Sequence, residues 1–314
     1  MTVSKRDFQK LSVVVPAFNE GAGIAGTLQQ LVQAVPGAEI ILIDDHSGDG
    51  TGDSARAVGG VKVIRHRYNR GQGAALKTGM RNATRDYVAW FDADNEHRPE
   101  DLLRIFDRIC SEDLIAVMGQ RINGSATLTR GIGKWIIRLI GQSISVRAGS
   151  DLNCGLRVFQ RQAVLRYLEL IPDRFSSSLV TTLVMLERRY PVAFEPITTN
   201  PRIGSSTVRV KDGFEAIMQL VRAVLLFSPM RFFLPIGTIC AGIGVAYSLL
   251  IALYSHMGIP VGGLFLMLLG ILVVLFGLLA DQVSQFRLGQ LNGGGFQEFL
   301  LVESDGNEDG FDPR

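Results

Sequence analysis

The stretch YVAWFDADNEH at residues 87–97 runs from apolar residues directly into an acidic cluster. A short apolar run that ends in polar residues predicts a buried strand followed by a turn. The same kind of junction occurs twice before it, in LSVVVPAFNE at residues 11–20 and in EIILIDDHS at residues 39–47. Three strands that each end in acidic residues therefore form the framework of the predicted fold.

The three junctions belong to a longer alternation of strand and helix patterns. Candidate strands occupy residues 11–15, 39–43, 61–65, 87–91 and 114–118, and amphipathic stretches separate the first four. This βαβα order predicts an α/β fold with a mostly parallel, Rossmann-like sheet that is covered by helices. Ligands of such sheets bind beyond the carboxyl ends of the strands, which makes the acidic clusters the candidate site.

The acidic clusters indicate a bound cation. Parallel strands bring their carboxyl ends to one edge of a sheet, where carboxylates repel one another unless positive charge neutralises them. Asp92 and Asp94 form an Asp-x-Asp pair directly after a predicted strand. Such a pair suits an oxygen-preferring metal, Mg²⁺ or Mn²⁺, which would in turn hold a diphosphate. Asp-x-Asp pairs also occur as solvated turns or helix caps, so the prediction depends on the position after a strand.

Two other ligand-binding motifs are incomplete. Residues 45–50 resemble the opening of an EF-hand loop, but Arg56 occupies the position that requires Glu. Gly71 and Gly73 resemble the start of a dinucleotide-binding loop, but Leu76 stands at the third glycine position. Residues 69–79 still predict a glycine-rich turn that opens a helix, whose free N–H groups could bind an anion. A simple tight turn explains the same glycines equally well.

The composition excludes several classes of protein. The 314 residues are 47% apolar and 20% charged, and the mean hydropathy is +0.22. This balance excludes a largely disordered chain and indicates membrane segments. The net charge of +2 gives no indication of nucleic acid as a partner. Three cysteines are too few for a disulfide framework.

The membrane segments lie near the C-terminal end. Residues 232–254 and 261–280 contain no charged side chain, and each stretch is long enough as a helix to cross the roughly 30 Å of hydrocarbon in a bilayer. Buried core helices are the alternative. Arg231 and Arg287 flank the pair, whereas the connector at residues 255–260 has no Lys or Arg. This asymmetry predicts that both flanks, and the N-terminal domain with them, are cytoplasmic.

The motifs resemble those of a known family. Residues 13–20, 43–49, 69–75 and 92–97 are similar, in this order, to the successive motifs of family 2 glycosyltransferases with the GT-A fold. Residues 119–121, 151–157 and 202–206 further resemble the polyprenyl-phosphate branch, typified by dolichol-phosphate mannose synthases and bacterial undecaprenyl-phosphate glucosyltransferases. The likeness covers about residues 10–230, and two C-terminal spans also occur in that branch.

The resemblance implies an activity and its partners. A hexose would pass from a nucleotide diphosphate sugar to a polyprenyl phosphate, with inversion at the anomeric carbon, at the cytoplasmic face of the inner (plasma) membrane. UDP-glucose is favoured as the donor, GDP-mannose is possible, and Mg²⁺ or Mn²⁺ is the implied cofactor. A lipid phosphate is already ionised at neutral pH, so its attack needs no strong base. A homo-oligomer is compatible with the membrane helices.

The resemblance also implies a role for ten residues. Phe18 stands where the family usually has Tyr, Glu96 where it has Gln, and Thr207 where it has Lys. The nucleoside would be held by Pro16, Phe18, Glu20 and Asp45, the metal by Asp92, Asp94 and Glu96, and the acceptor phosphate by Arg121 and Arg130, while Arg202 would close over the site.

The chain is expected to consist of four parts. Residues 1–205 would form the GT-A catalytic domain, and residues 206–230 an amphipathic helix at the membrane surface. Residues 231–287 would form the transmembrane hairpin, and residues 288–314 an acidic, disordered cytoplasmic tail.

Two other functions remain open at this level. A processive polysaccharide synthase shares the GT-A core, but it normally carries a Gln-x-x-Arg-Trp motif, and Trp90 and Trp135 stand in other contexts. A catalytically inactive, nucleotide-sugar-binding membrane scaffold is the second alternative. Asp92, Asp94 and Arg121 together argue against it.

Overall fold

The computed structural model describes residues 7–122, 151–174, 177–200, 225, 229–255 and 260–290. The chain forms two compact units, Met1–Arg231 and Phe232–Arg314. In the described residues, the first unit contains a seven-stranded sheet with helices, and the second contains two long helices.

Strands and helices alternate through the first unit. The strands are β1 (Leu11–Ala17), β2 (Glu39–Asp44), β3 (Val61–Arg65), β4 (Tyr87–Trp90), β5 (Ala116–Arg121), β6 (Arg157–Gln160) and β7 (Val192–Ile197). The helices are α1 (Ile24–Ala34), α2 (Thr51–Arg56), α3 (Gln72–Asn82), α4 (Pro99–Ser111), α5 (Arg161–Leu165) and α6 (Ser177–Glu187). All five predicted strands are present, and β6 and β7 are two that the sequence patterns did not reveal.

The sheet has the strand order β3-β2-β1-β4-β6-β5-β7. Strands β3, β2, β1 and β4 are adjacent in this order and all run parallel, and β5 is parallel to β7. Strand β6 lies between β4 and β5 and is antiparallel to both. Strand β5 therefore runs in the same direction as β4, and the carboxyl ends of β1, β2, β4 and β5 lie at one edge. The predicted α/β class with a mostly parallel sheet is confirmed.

Burial on both faces of the sheet explains the apolar strands. All seven residues of β1 are buried, as expected for a central strand of a parallel sheet. Val13 and Val15 belong to the core cluster that includes Leu28 of α1 and Ile105 of α4. On the opposite face, Gly79 of α3 lies so close to Val14 that a Cβ at this position would overlap the valine side chain.

The second unit is a pair of apolar helices, α7 (Pro229–Ser255) and α8 (Val261–Gln290). The candidate spans are 26 residues long, and an 18-residue window within each has a mean hydropathy of 2.1 and 2.9, respectively, so both helices are long and apolar enough to cross a membrane. Gly237 packs against Gly270, and Gly244 against Gly263, so closely that a Cβ at any of the four would meet the facing backbone or side chains. Small residues of this kind allow membrane helices to pack closely.

Parts of the predicted domain scheme lie outside the described residues. The proposed interfacial helix at residues 206–230 is described only at residues 225, 229 and 230, and the acidic tail beyond residue 290 is not described. Helix α8 continues to Gln290, three residues past the predicted boundary at 287.

Candidate active site

The carboxyl edge of the sheet gathers most of the predicted site residues. Phe18 and Glu20 follow β1, Asp45 follows β2, and Asp92 and Asp94 follow β4, while Arg121 ends β5. These strand ends lie at one edge because the strands run in the same direction. This set of strand ends, with residues 92–97 and Arg121, is called the acidic rim below.

The segment after β1 presents one exposed aromatic side chain. Phe18 has 48% of its surface exposed, whereas Pro16 is buried within β1. Glu20 is partly buried, and its backbone N–H donates to the Thr51 hydroxyl at 2.9 Å. Of the residues predicted to hold a nucleoside, Phe18 therefore offers the most accessible apolar surface.

Hydrogen bonds fix the segments after β1 and β2 to each other. The Asn19 N–H donates to Ser47 Oγ at 3.0 Å, and the Asn19 side-chain oxygen accepts from the Gly48 N–H at 3.0 Å. Asp49 Oδ2 accepts from the Gly21 N–H at 2.8 Å. The segment that resembles an EF-hand loop therefore uses its polar atoms to join two strand ends.

Asp45 holds the turn that precedes α3. Its carboxylate is buried and accepts from the backbone N–H groups of Arg70 at 2.9 Å and Gly71 at 2.7 Å. His66 Nδ1 lies 2.7 Å from Asp45 Oδ1, and His66 Nε2 lies 2.9 Å from the Thr78 hydroxyl. The structure therefore directs the Asp45 oxygens at residues 66–71, and a contact of Asp45 with a nucleoside stays a prediction.

The glycines at the start of α3 serve a close backbone contact. The N–H groups of Gly73 and Ala74 donate to the carbonyls of Arg174 and Asp173 at 3.2 and 2.8 Å. Two of the free N–H groups at this helix end are thereby used within the protein. A Cβ at Gly73 would overlap the Pro172 carbonyl oxygen, and Gly71 adopts a φ of +98°.

Gly73→Ala is expected to lower the free energy of unfolding by about 2–4 kcal/mol, because the added methyl group must displace the Pro172 carbonyl. Thermal unfolding of the full chain in detergent measures the loss. Gly59→Ala is the matched control, since a Cβ there meets nothing within 4 Å, and its effect should stay within about 0.5 kcal/mol. Equal stability of the two variants would contradict the proposed role of this contact.

Asp92 is held by two side chains. His97 Nε2 lies 2.9 Å from Asp92 Oδ2, and Gln72 Nε2 donates to Asp92 Oδ1 at 3.3 Å. Burial alone would raise the pKa of Asp92, but the His97 hydrogen bond and the charges of His97, Arg157 and Arg121 hold this pKa below its usual value. Asp92 is therefore a carboxylate at neutral pH, and His97 Nε2 is the donor.

Asp94 and Glu96 face different partners. Asp94 is 9% exposed, and its Oδ1 accepts from the Glu96 N–H at 3.1 Å. The Glu96 carboxylate accepts from Arg121 Nη1 at 3.3 Å. Arg121 also donates two hydrogen bonds to the Asp151 carboxylate, from Nε at 2.6 Å and from Nη2 at 3.3 Å. The hydrogen bond to Asp151 raises the pKa of Arg121 above its usual value, despite partial burial.

The donor set fits a hard divalent cation that is completed by substrate. Among the residues that the structure describes, no three His, Cys, Asp or Glu side chains form a closed metal site. Mg²⁺ commonly binds through one or two carboxylates together with substrate phosphates and water. Asp92 and Asp94 supply such carboxylates at the acidic rim, whereas Glu96 is paired with Arg121. The metal role of Glu96 stays a prediction.

Three residues at or below the rim had no role in the predicted site. Asp151 lies within a motif that resembles the family, and His97 directly follows the acidic cluster. Their positions next to predicted site residues were the only sequence signal for a role at the site. Gln72 belongs to the glycine-rich turn. Arg130 and Arg202, predicted to bind the acceptor phosphate and to close the site, lie outside the described residues.

Comparison with known families identifies the class of protein that this fold and rim define. Residues 12–165 match the profile of Glycosyl transferase family 2, and residues 228–286 match that of the GtrB C-terminal hairpin. The chain belongs to glycosyl transferase family 2.

Three relatives are named as polyprenyl-phosphate sugar transferases or synthases. The chain is 30% identical over 172 residues to an undecaprenyl-phosphate mannosyltransferase of Micrococcus luteus, covering 51% of this chain and 70% of that protein. It is 28% identical to an undecaprenyl-phosphate 4-deoxy-4-formamido-L-arabinose transferase of Aeromonas hydrophila subsp. hydrophila, covering 80% and 78%. It is 26% identical to a dodecaprenyl-phosphate galacturonate synthase of Rhizobium johnstonii, covering 88% of each. The polyprenyl-phosphate branch suggested by the motifs is confirmed.

A solved structure shares the fold. The crystal structure of glucosyl-3-phosphoglycerate synthase from Mycobacterium tuberculosis, in complex with Mn²⁺, UDP and phosphoglyceric acid, superposes with a TM-score of 0.55 at 20% identity. The match covers 69% of this chain and 77% of that chain. It confirms the GT-A-like architecture of the first unit.

Proposed function

We propose that this chain transfers a hexose from a nucleotide diphosphate sugar to the phosphate of a polyprenol, with inversion at the anomeric carbon. UDP-glucose is the favoured donor and GDP-mannose the second choice. The observation that carries the proposal is the acidic rim, where Asp92 and Asp94 share one sheet edge with Arg121. The undecaprenyl- and dodecaprenyl-phosphate transferases among the relatives support the lipid acceptor.

The acceptor phosphate needs an anion site more than a base. Its oxygen bonds to the anomeric carbon while the bond from that carbon to the nucleoside diphosphate breaks, and the phosphate is ionised at neutral pH. Arg121 can present a planar fork to phosphate oxygens, as it does to Asp151. Arg130 and Arg202 are proposed to assist from the part of the chain outside the described residues.

The departing diphosphate is the second charge that needs a partner. Asp92 and Asp94 would hold Mg²⁺ or Mn²⁺, which supplies charge neutralisation of the diphosphate when bound. His97 and Gln72 orient the Asp92 carboxylate. Phe18 would pack against the nucleoside, beside Pro16 and Glu20, while Asp45 holds the turn before α3.

The location is proposed together with the activity. The helices α7 and α8 are long and apolar enough to span a bilayer. Arginines at both flanks support an inner-membrane hairpin with the catalytic domain on the cytoplasmic side. The proposed parts of the chain are the catalytic domain at residues 1–205, the interfacial helix at residues 206–230, the transmembrane hairpin at residues 231–287 and the tail at residues 288–314.

Product analysis tests the proposed function. The purified full chain is incubated with Mn²⁺, a panel of nucleotide sugars and a short polyprenyl phosphate, and the lipid fraction is weighed by mass spectrometry. We expect one lipid product, heavier by a single hexose. A polymer would indicate a processive synthase, and nucleotide-sugar binding without turnover would indicate an inactive scaffold.

Glu96→Gln is expected to lower the KM for polyprenyl phosphate by about twofold to fivefold. The substitution replaces a carboxylate that competes with the acceptor phosphate for Arg121 by a neutral amide. Steady-state kinetics with varied acceptor measure the change. Glu195→Gln is the matched control, because it weakens the comparable pair with Arg108, at 2.9 Å, away from the acidic rim. If Glu96 is a metal ligand instead, the variant will lose Mn²⁺ affinity and the KM for the acceptor will not fall.

A further inference from the structure

Arg157 is a fully buried cation that no step described so far uses. It is the first residue of β6 and lies opposite Trp90 of β4 and Met118 of β5, with 0% of its surface exposed. Its guanidinium carbon lies 5.3 Å from the centroid of the Trp90 ring. An arginine over an aromatic face in this way gains a cation–π attraction.

The partners to which Arg157 donates hydrogen bonds among the described residues are all neutral. Nη1 donates to the Ser178 carbonyl at 2.8 Å and to the hydroxyls of Thr181 and Thr182 at 3.0 and 3.1 Å, all on α6. Nε and Nη2 both donate to the Cys154 carbonyl. Within the described part of the chain, no carboxylate lies at ion-pair distance from this guanidinium.

Packing alone does not explain a buried charge at this place. Desolvation of an ion is costly, and apolar residues often replace buried ionic groups without loss of stability. Burial lowers the pKa of Arg157 to about 10, so the side chain is still a cation at neutral pH. The retained charge needs an explanation other than the filling of space between α6 and the sheet.

Arg157 connects directly to the acidic rim. The Cys154 carbonyl that it holds belongs to the segment of residues 151–156, which leads into β6 at the same edge of the sheet. On this segment, Gly155 lies against Asp92 so closely that a Cβ would overlap the carboxylate. Asp151, at the start of the segment, is the partner of Arg121. The charge of Arg157 is also among those that act on Asp92.

We propose that Arg157 places a fixed positive charge beneath the acidic rim, and that this charge strengthens the binding of a diphosphate and weakens the binding of a divalent cation without diphosphate. The proposal rests on the proposed function for the presence of both ligands at the rim. A buried charge that is held by neutral dipoles acts on both ligands with opposite signs. A side chain that served only in packing would not change the two affinities in opposite directions.

Arg157→Met removes the charge and keeps an unbranched apolar side chain about as long as the aliphatic part of arginine. Loss of one positive charge near the rim should tighten binding of Mn²⁺ alone by about fivefold to tenfold, and weaken binding of pyrophosphate at saturating Mn²⁺ by a similar factor. Electron paramagnetic resonance of free Mn²⁺ and calorimetry with pyrophosphate measure the two affinities on the full chain in detergent. Weakening of both affinities together, or no change in either, would overturn the proposal.

Two further variants separate charge from packing. Arg157→Lys keeps the charge, so both affinities should stay within about twofold of those of the parent chain even if the melting temperature falls. Leu183→Ala removes a fully buried side chain of α6, and should lower the melting temperature without changing either affinity. If the Met variant does not fold, Arg157→Gln replaces it as the neutral variant and should show the same opposite shifts, while altered affinities in the Lys variant would show that geometry and not charge matters.

Failure of the Arg157 proposal can be distinguished from failure of the proposed function. A chain that binds Mn²⁺ and pyrophosphate with the expected opposite shifts, but forms no lipid product, would leave the Arg157 proposal standing and remove the transfer reaction. A parent chain that binds neither probe would overturn the Arg157 proposal.

Discussion

Asp94→Ala is expected to lower the rate of sugar transfer by at least about a hundredfold, as loss of a main electrostatic contribution does. Asp94 is a buried carboxylate at the acidic rim, and its Oδ1 accepts from the Glu96 N–H. The substitution removes one of two carboxylates proposed to hold the metal. Initial rates at saturating donor and acceptor, with Mn²⁺ varied, measure the loss.

Two controls separate the charge of Asp94 from its structural contact. Asp94→Asn keeps an oxygen that can accept from Glu96, so it should retain the melting temperature and still lose transfer. Asp53→Ala removes an exposed carboxylate of α2 that pairs with Arg56, and its rate should equal that of the parent chain. Near-normal transfer by Asp94→Ala would remove the proposed metal role.

Arg121→Ala is expected to lower kcat/KM for polyprenyl phosphate by about a hundredfold to a thousandfold, because truncation of one partner in a close charge cluster costs several kcal/mol. The substitution removes the proposed phosphate grip and leaves the carboxylates of Glu96 and Asp151 without the cation between them. Nucleotide binding, titrated separately, should change by less than about threefold. The kcat/KM of Arg121→Lys should lie between those of the parent chain and Arg121→Ala, since lysine keeps the charge but lacks the planar guanidinium fork.

Arg108 offers a matched control for Arg121. It also bridges two carboxylates, those of Glu112 and Glu195, and its side chain is 32% exposed against 29% for Arg121. Arg108→Ala should therefore disturb a similar cluster away from the acidic rim without loss of acceptor use. Collapse of donor affinity in Arg121→Ala, with acceptor affinity kept, would reverse the proposed assignment.

The strands and the acidic rim could be predicted from sequence because their signals are local. Each of the first five strands is a short run rich in apolar residues, and each rim residue lies at the end of such a strand or within a few residues after it. The direction of the strands then required the carboxyl ends to meet at one edge. Neither inference needed a contact between distant parts of the chain.

The remaining features depend on contacts that sequence spacing does not encode. The pairing of Arg121 with Glu96 and Asp151 joins positions 25 and 30 residues apart. Gly73 is required by the carbonyl of Pro172, about a hundred residues downstream in the chain. Strand β6 has only four residues and begins with arginine, so its apolar pattern is too short to be distinguished from a loop.

The place of β6 in the sheet has a consequence during protein synthesis. A nascent chain that has emerged only as far as β5 contains β4 and β5 but lacks the strand that separates them. Since Asp151, Gly155 and Arg157 are synthesised together with β6, the ribosome must deliver these residues before the carboxylates that follow β4 gain their final surroundings. Polypeptides truncated before residue 157 are therefore expected to remain targets for chaperones and not to capture nucleotide.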